Sequence, residues 1–279
     1  MSNPIVKIPD KKQLDLLPEK LPTMYDLPSE EIGEAALPDE FHIFQAQLLR
    51  ETFQPSNYSP EEVFIAIDLY LYYDKNHTLW YKRPDWFAVV GVSRLYENKD
   101  LRYSYVTWQE KVNPLVVVEL LSPGTEKEDL GKALHDVEDP PSKWQVYEQI
   151  LKVPFYFAFD RVTNELSAFK LVNGKYQEFM PNNGKYQVNE AELSLGLWQG
   201  KYEEIDRLWL RWYDKNDGLI PSRSEQVAIA EKQKEVAEKQ REIAEKQKEM
   251  AEQQKNQAIA RAEQLAAKLR ELGIDPNNL

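Results

Sequence analysis

The chain has no cysteine, so it can hold neither disulfides nor thiolate metal sites. Its three histidines, His42, His77 and His135, share no ligand spacing, which argues against zinc. A Gly-rich phosphate loop is missing, and no serine sits in a nucleophile-elbow setting. No run of about 18 apolar residues occurs, and Met1 to Lys20 lacks the apolar stretch of a secretory signal. A soluble, cytoplasmic protein with no membrane partner is therefore expected. Basic excess is absent too. The net charge is −12, and the residues before Glu225 hold 25 basic against 36 acidic side chains, a net of −11. Such a body lacks the overall basic character of a nonspecific nucleic-acid binder, so any such role needs bound cations or a local Lys/Arg cluster.

What is present is a chain of 279 residues, 42% hydrophobic and 11% aromatic, enough for a proper core. Residues 1–38 carry six prolines and no sustained period, and read as an extended arm. Asp39 to Phe53 has helical spacing, with Asp39 as N-cap after Pro38. Val63 to Tyr73, Trp86 to Val92 and Leu115 to Leu121 read as strands. Ser142 to Leu151 reads as a short amphipathic helix ended by Val153-Pro154. Phe155 to Phe159, Leu166 to Val172 and Lys175 to Phe179 are further strands, the last two joined by an Asn173-Gly174 hairpin turn. Leu208, Trp209, Leu210 and Trp212 suggest a closing aromatic helix. The body is thus 39–222, a mixed α/β sheet flanked by helices.

From Ala230 six heptads follow, beginning AEKQKEV and AEKQREI. A helix over 225–272, before a short tail at 273–279, would be about 72 Å long, too long for the body to cover. Its thin Ala stripe, beside Ile229, Val236, Ile243 and Met250, fits either a solvated single helix or a weak coiled coil, and the second reading implies a homo-oligomer through this helix.

The strand Leu115 to Leu121 is apolar except for Glu119. An unpaired carboxylate buried there would cost several kcal/mol, so it needs a cation, a metal or strong donors. Asp85, introduced by Pro84, opens the strand at Trp86. Two acids on neighbouring strands can converge on one hard cation such as Mg²⁺ or Mn²⁺, and a lysine beside them completes the inventory for metal-assisted phosphodiester hydrolysis. Trp80, Trp86, Trp108 and Trp144 are assigned to the core rather than to base stacking.

Pro84-Asp85, Val118-Glu119-Leu120-Leu121-Ser122-Pro123-Gly124-Thr125, Lys143-Trp144-Gln145-Val146-Tyr147 and Val153-Pro154-Phe155-Tyr156 together resemble the Uma-type restriction endonucleases of the PD-(D/E)XK nuclease superfamily, over roughly residues 39 to 220. The Leu265-to-Asp275 segment resembles tails of cyanobacterial members. The resemblance implies a restriction-endonuclease-like fold, DNA as substrate, Asp85 and Glu119 as metal ligands, and Asp85, Glu119 and Lys143 as catalytic residues. The superfamily lysine two residues after the acid is Leu121 here. Lys143, four residues before Tyr147, fits the Uma-type pattern, with Lys132 as its competitor. A third acid would be Glu40 or Asp68, although Glu40 suits a helix first turn and Asp68 could equally pair with Arg83. The alternative is a nuclease-like protein without catalysis, acting as an interaction module through its heptad tail.

Overall fold

The computed structural model describes residues 39–122, 129–131 and 140–273. The predicted arm, Lys132, His135 and the 274–279 tail lie outside the described residues. The chain divides into two compact units, split after Ile220.

In the first unit, helix α1 (Glu40–Thr52) starts where the Asp39 side chain accepts the His42 N–H at 3.2 Å. The strands are β1 (Val63–Ile67), β2 (Leu71–Tyr72), β3 (Tyr81–Lys82), β4 (Trp86–Val90), β5 (Tyr105–Val106), β6 (Val116–Leu121), β7 (Phe155–Asp160), β8 (Glu165–Val172), β9 (Lys175–Glu178), β10 (Lys185–Val188), β11 (Leu193–Tyr202) and β12 (Ile205–Asp214). A short α2 (Thr107–Glu110) follows β5, and α3 (Lys143–Gln145) precedes β7. The main sheet has the order β1-β4-β6-β7-β8-β9, and only its central pair, β6 with β7, is parallel. Two three-stranded sheets accompany it, β10-β11-β12 and β3-β2-β5.

Alternation along the central strands creates two cores. Trp86, Ala88, Val116, Val118, Leu120, Phe155, Phe157 and Phe159 share one core with Phe41, Leu48 and Leu49 of α1 and with Leu195, Trp209 and Trp212 of the second sheet. Phe87, Val89, Val117 and Tyr156 face the other way, against Val146, Tyr147 and Leu151 beyond α3 and Leu71 and Tyr105 of the small sheet. The sheet is covered on both faces, as its continuous apolar strands require.

Three expectations are corrected. The segment Leu208 to Trp212 is not a helix but part of β12, paired with β11 throughout from Tyr202↔Ile205 to Leu193↔Asp214. Val63 to Tyr73 is not one strand, because Asp68 turns the chain with φ 48° and β2 then pairs with β3 and β5 instead. Trp86 is fully buried as expected, whereas Trp108 keeps 36% of its surface exposed and is not core.

The second unit is helix α4 (Arg223–Glu271), 49 residues, started by a Ser222/Glu225 capping box and with no buried residue. Glu235–Lys239 and Glu242–Lys246 close i,i+4 ion pairs at 2.6 and 2.7 Å along it.

Candidate functional site

Glu119 lies on β6, on the face of Val117, and is 0% exposed. The register Trp86↔Val118 carried one step further sets Asp85 opposite Glu119. The two acids are tied through the backbone: the Asp85 N–H donates to Glu119 Oε2 at 3.2 Å, and the Leu120 N–H donates to Asp85 Oδ2 at 2.6 Å. Lys143 reaches them from the first turn of α3, where Ser142 and Gln145 form a capping box that fixes the helix start. Its Nζ stands 3.0 Å from Glu119 Oε2. The helix then continues as a π-turn over Val146–Ile150, in which the Leu151 N–H reaches back to the Val146 carbonyl at 2.8 Å. Within this wider turn the Tyr147 hydroxyl donates to Glu119 Oε1 at 2.8 Å. π-turns inside helices recur at functional sites. Asp85, Glu119 and Lys143 are therefore brought together, and both Glu119 oxygens have donors.

A third carboxylate, Asp129, was not singled out from the sequence. It is 0% exposed and meets the Lys143 ammonium at 2.9 Å as an ion pair. The Tyr156 hydroxyl donates to its carbonyl at 2.8 Å, and Gly131, with φ 69°, lies so close to the Trp144 ring that a Cβ would sit 2.9 Å from it. In the sequence Asp129 is one of three acids, with Glu126 and Glu128, shortly before Gly131, a pattern too common to single out. Glu40 is exposed in the first turn of α1. Asp68 pairs with Arg83, and its N–H bonds to the carbonyls of Pro84 and Asp85 at 3.2 Å each.

His42 is the other residue the sequence did not reveal. From the opposite face of the sheet its Nε2 lies 2.9 Å from the Leu120 carbonyl, while Nδ1 lies 2.9 Å from Asp39 Oδ1. A carboxylate and a carbonyl both accept, an arrangement that favours the doubly protonated ring. Arg161 Nη1 holds the other Asp39 oxygen at 2.6 Å. Burial works against the His42 charge, but Asp39 and Asp85 outweigh it and raise its pKa. The Leu120 peptide is thus held at both ends, its N–H by Asp85 and its C=O by His42.

The electrostatics follow from crowding. Three carboxylates, Asp85, Glu119 and Asp129, surround one ammonium, for a formal excess of two negative charges. Burial pushes Asp85 up against the opposing pull of Lys143 and His42. Glu119 is raised well above the usual carboxylate range by burial and by Asp129 and Asp85, which Lys143 does not offset. Burial would lower Lys143, yet Asp129, Glu119 and Asp85 more than reverse this and fix it as a cation. Of the three acids only Asp85 keeps accessible surface, so the approach from solvent is at Asp85 and the partly exposed Lys143.

An all-oxygen donor set with excess negative charge suits a hard divalent ion. Among the described residues no three His, Asp or Glu side chains form a cluster able to hold a metal. The fit is to an ion that takes one or two protein carboxylates and leaves its other positions to water and substrate, the habit of Mg²⁺.

Among the described residues no helix is long and apolar enough to cross a membrane. No curated protein matches the chain. The Uma2 family model, "Putative restriction endonuclease", matches residues 12–201, which is 190 of the 279 residues and takes in every site residue described above. By that match the chain belongs to the Uma2 family of restriction-endonuclease-like proteins.

Proposed function

We propose that this protein is a Mg²⁺- or Mn²⁺-dependent endonuclease that hydrolyses DNA phosphodiester bonds. The observation that supports it most is the convergence of Asp85, Glu119 and Lys143, with the ammonium 3.0 Å from Glu119 Oε2, at the one partly open point of a buried acidic cluster. Asp85 and Glu119 would hold the ion, which when bound supplies Lewis acidity toward a phosphate oxygen and acidifies water. The protein's own residues do the rest. Tyr147 fixes the Glu119 carboxylate through Oε1, and His42 and Asp85 hold the Leu120 peptide so that the strand end does not shift. Lys143, cationic throughout the working pH range, offers donors to the negative charge that develops on the phosphate. Glu119→Gln tests the assignment. It should abolish metal-dependent cleavage of plasmid DNA while the protein still unfolds cooperatively, and undiminished cleavage by the folded variant would remove the assignment.

A second reading concerns α4. Val236, Ile243 and Met250 are 47%, 56% and 60% exposed at intervals of seven residues. A helix that leaves such a stripe uncovered is suited to a second copy of itself, and a dimer would bring two sites to two DNA strands. Light scattering on the full-length chain should give a mass above one protomer that falls to one protomer when residues after Ser222 are deleted. A monomeric full-length protein refutes this reading. A nuclease-like body serving only as an interaction module would instead give no thermal shift with Mn²⁺, because a working carboxylate site is stabilised by its ion.

A further inference from the structure

The small sheet β3-β2-β5 and the adjoining Tyr70 and α2 carry aromatic rings that keep part of their surface exposed. These rings form a continuous series. Trp108 meets Tyr72 with centroids 6.3 Å apart, and Tyr72 meets Tyr81 edge-on at 5.8 Å. Tyr81 stacks on Tyr70 at 4.2 Å and 24°. The Arg83 guanidinium lies 5.2 Å from the Tyr70 centroid and pairs with Asp68. The Asp68 N–H is bonded to the carbonyl of Asp85. One end of the series therefore abuts the point where the acidic cluster opens. Trp108, Tyr70 and Tyr81 remain 36%, 37% and 38% exposed. From Asp68 to Asp85 the chain sets Lys75, Lys82 and Arg83 against Asp68, Asp74 and Asp85, a local charge of zero in a body of −11.

We propose that this aromatic series binds unpaired bases of single-stranded DNA and guides the strand toward Asp85. Stacking on successive rings is tolerant of sequence because every base has a π-face, and adjacent cations track the phosphates. A blunt duplex offers such rings little, because its bases are already stacked on one another. The binding part stands on the surface itself; the guiding part rests on the nuclease reading above.

The test measures binding of the full-length protein by fluorescence anisotropy, without divalent metal, to labelled oligo-dT of roughly 16 nucleotides and to a blunt duplex of the same length. Oligo-dT should bind more tightly than the duplex. Tyr81→Ala and Trp108→Ala should each weaken oligo-dT binding about tenfold, while Tyr81→Phe, which keeps the ring, retains wild-type affinity. Thermal unfolding confirms that each variant is folded, and Tyr81→Leu, which keeps apolar bulk without a π-face, replaces an alanine variant that is not. Folded variants that bind oligo-dT as the wild type does would overturn the proposal, as would a duplex bound as tightly as the single strand. If Tyr81→Ala instead lowers the mass in solution with DNA binding unchanged, the surface is a protein interface and the proposal fails. Because no metal is present, the outcome is separate from that of Glu119→Gln: a chain that cleaves DNA but ignores oligo-dT overturns this inference alone.

Discussion

Lys143→Met tests whether one ammonium stabilises the three carboxylates. Methionine keeps the length and most of the volume, so packing changes little and the loss is chiefly of charge. Glu119 and Asp129 are fully buried, and the Lys143 side chain is 13% exposed, so solvent screens these pairs weakly. Removing one member of a buried ion pair costs about 3–5 kcal/mol. For a domain of this size each kcal/mol lowers Tm by about 2–4 °C, so a fall of about 6–20 °C is expected near neutral pH. The sign of the pH dependence is fixed by Glu119 and Asp85, whose folded-state pKa values are already raised by burial and rise further without the lysine. An acid raised in the folded state holds its proton longer than in the unfolded chain. Its penalty is absent below the unfolded value, 4.5 for Glu119, and grows as pH climbs toward the folded value. Thermal unfolding of variant and wild type should therefore differ little near about pH 4.5 and most near about pH 8. Adding Asp129→Asn to Lys143→Met should recover part of the loss, since one buried charge is removed. A Tm difference that is small, or equal at both pH values, would refute the view of Lys143 as the charge that holds the cluster.

Two further outcomes concern the fold. Gln45 donates to the Leu210 carbonyl at 3.0 Å and accepts the Leu210 N–H at 2.8 Å, both buried, so Gln45→Leu leaves two backbone groups unpaired and should lower stability by about 2–4 kcal/mol in a denaturant titration. Burial favours the protonated form of Glu148, but the Tyr176 N–H, Lys175 and Gln149 reverse this and lower its pKa. Its contribution is present above the ordinary value of 4.5 and lost as pH falls through the folded value, so Glu148→Gln should flatten the acid limb of the stability curve; an unchanged limb would exclude that role.

Glu119 was legible because burial and charge conflict visibly in a strand, where an acid in a β-branched run is anomalous whatever the fold, and Asp85 was legible as the acid that follows Pro84 and opens the strand at Trp86. Lys143 was legible only through the family resemblance, in which a lysine stands four residues before a tyrosine, as Lys143 does before Tyr147. His42 and Asp129 were not, since their roles arise where distant segments meet at one strand end and no local pattern encodes that meeting. The error at Leu208 to Trp212 has a specific cause. A short apolar run does not distinguish helix from strand, and the usual hairpin signal was missing. The β11–β12 turn is two residues, Glu203 and Glu204, with φ of 47° and 63°, a conformation normally given to Asn-Gly. The pairing of ten residues on each side overrides the preference of the turn.

The Gln45–Leu210 pairing has a consequence for synthesis. The two residues are separated by 165 positions, and α1 shares its core with strands at the far end of the domain. At about 5–20 residues per second, α1 leaves the ribosome roughly 8–30 s before β12 does. Through that interval its apolar face has no partner from β12. Helix α1 must therefore wait for the last strand of the sheet that covers it.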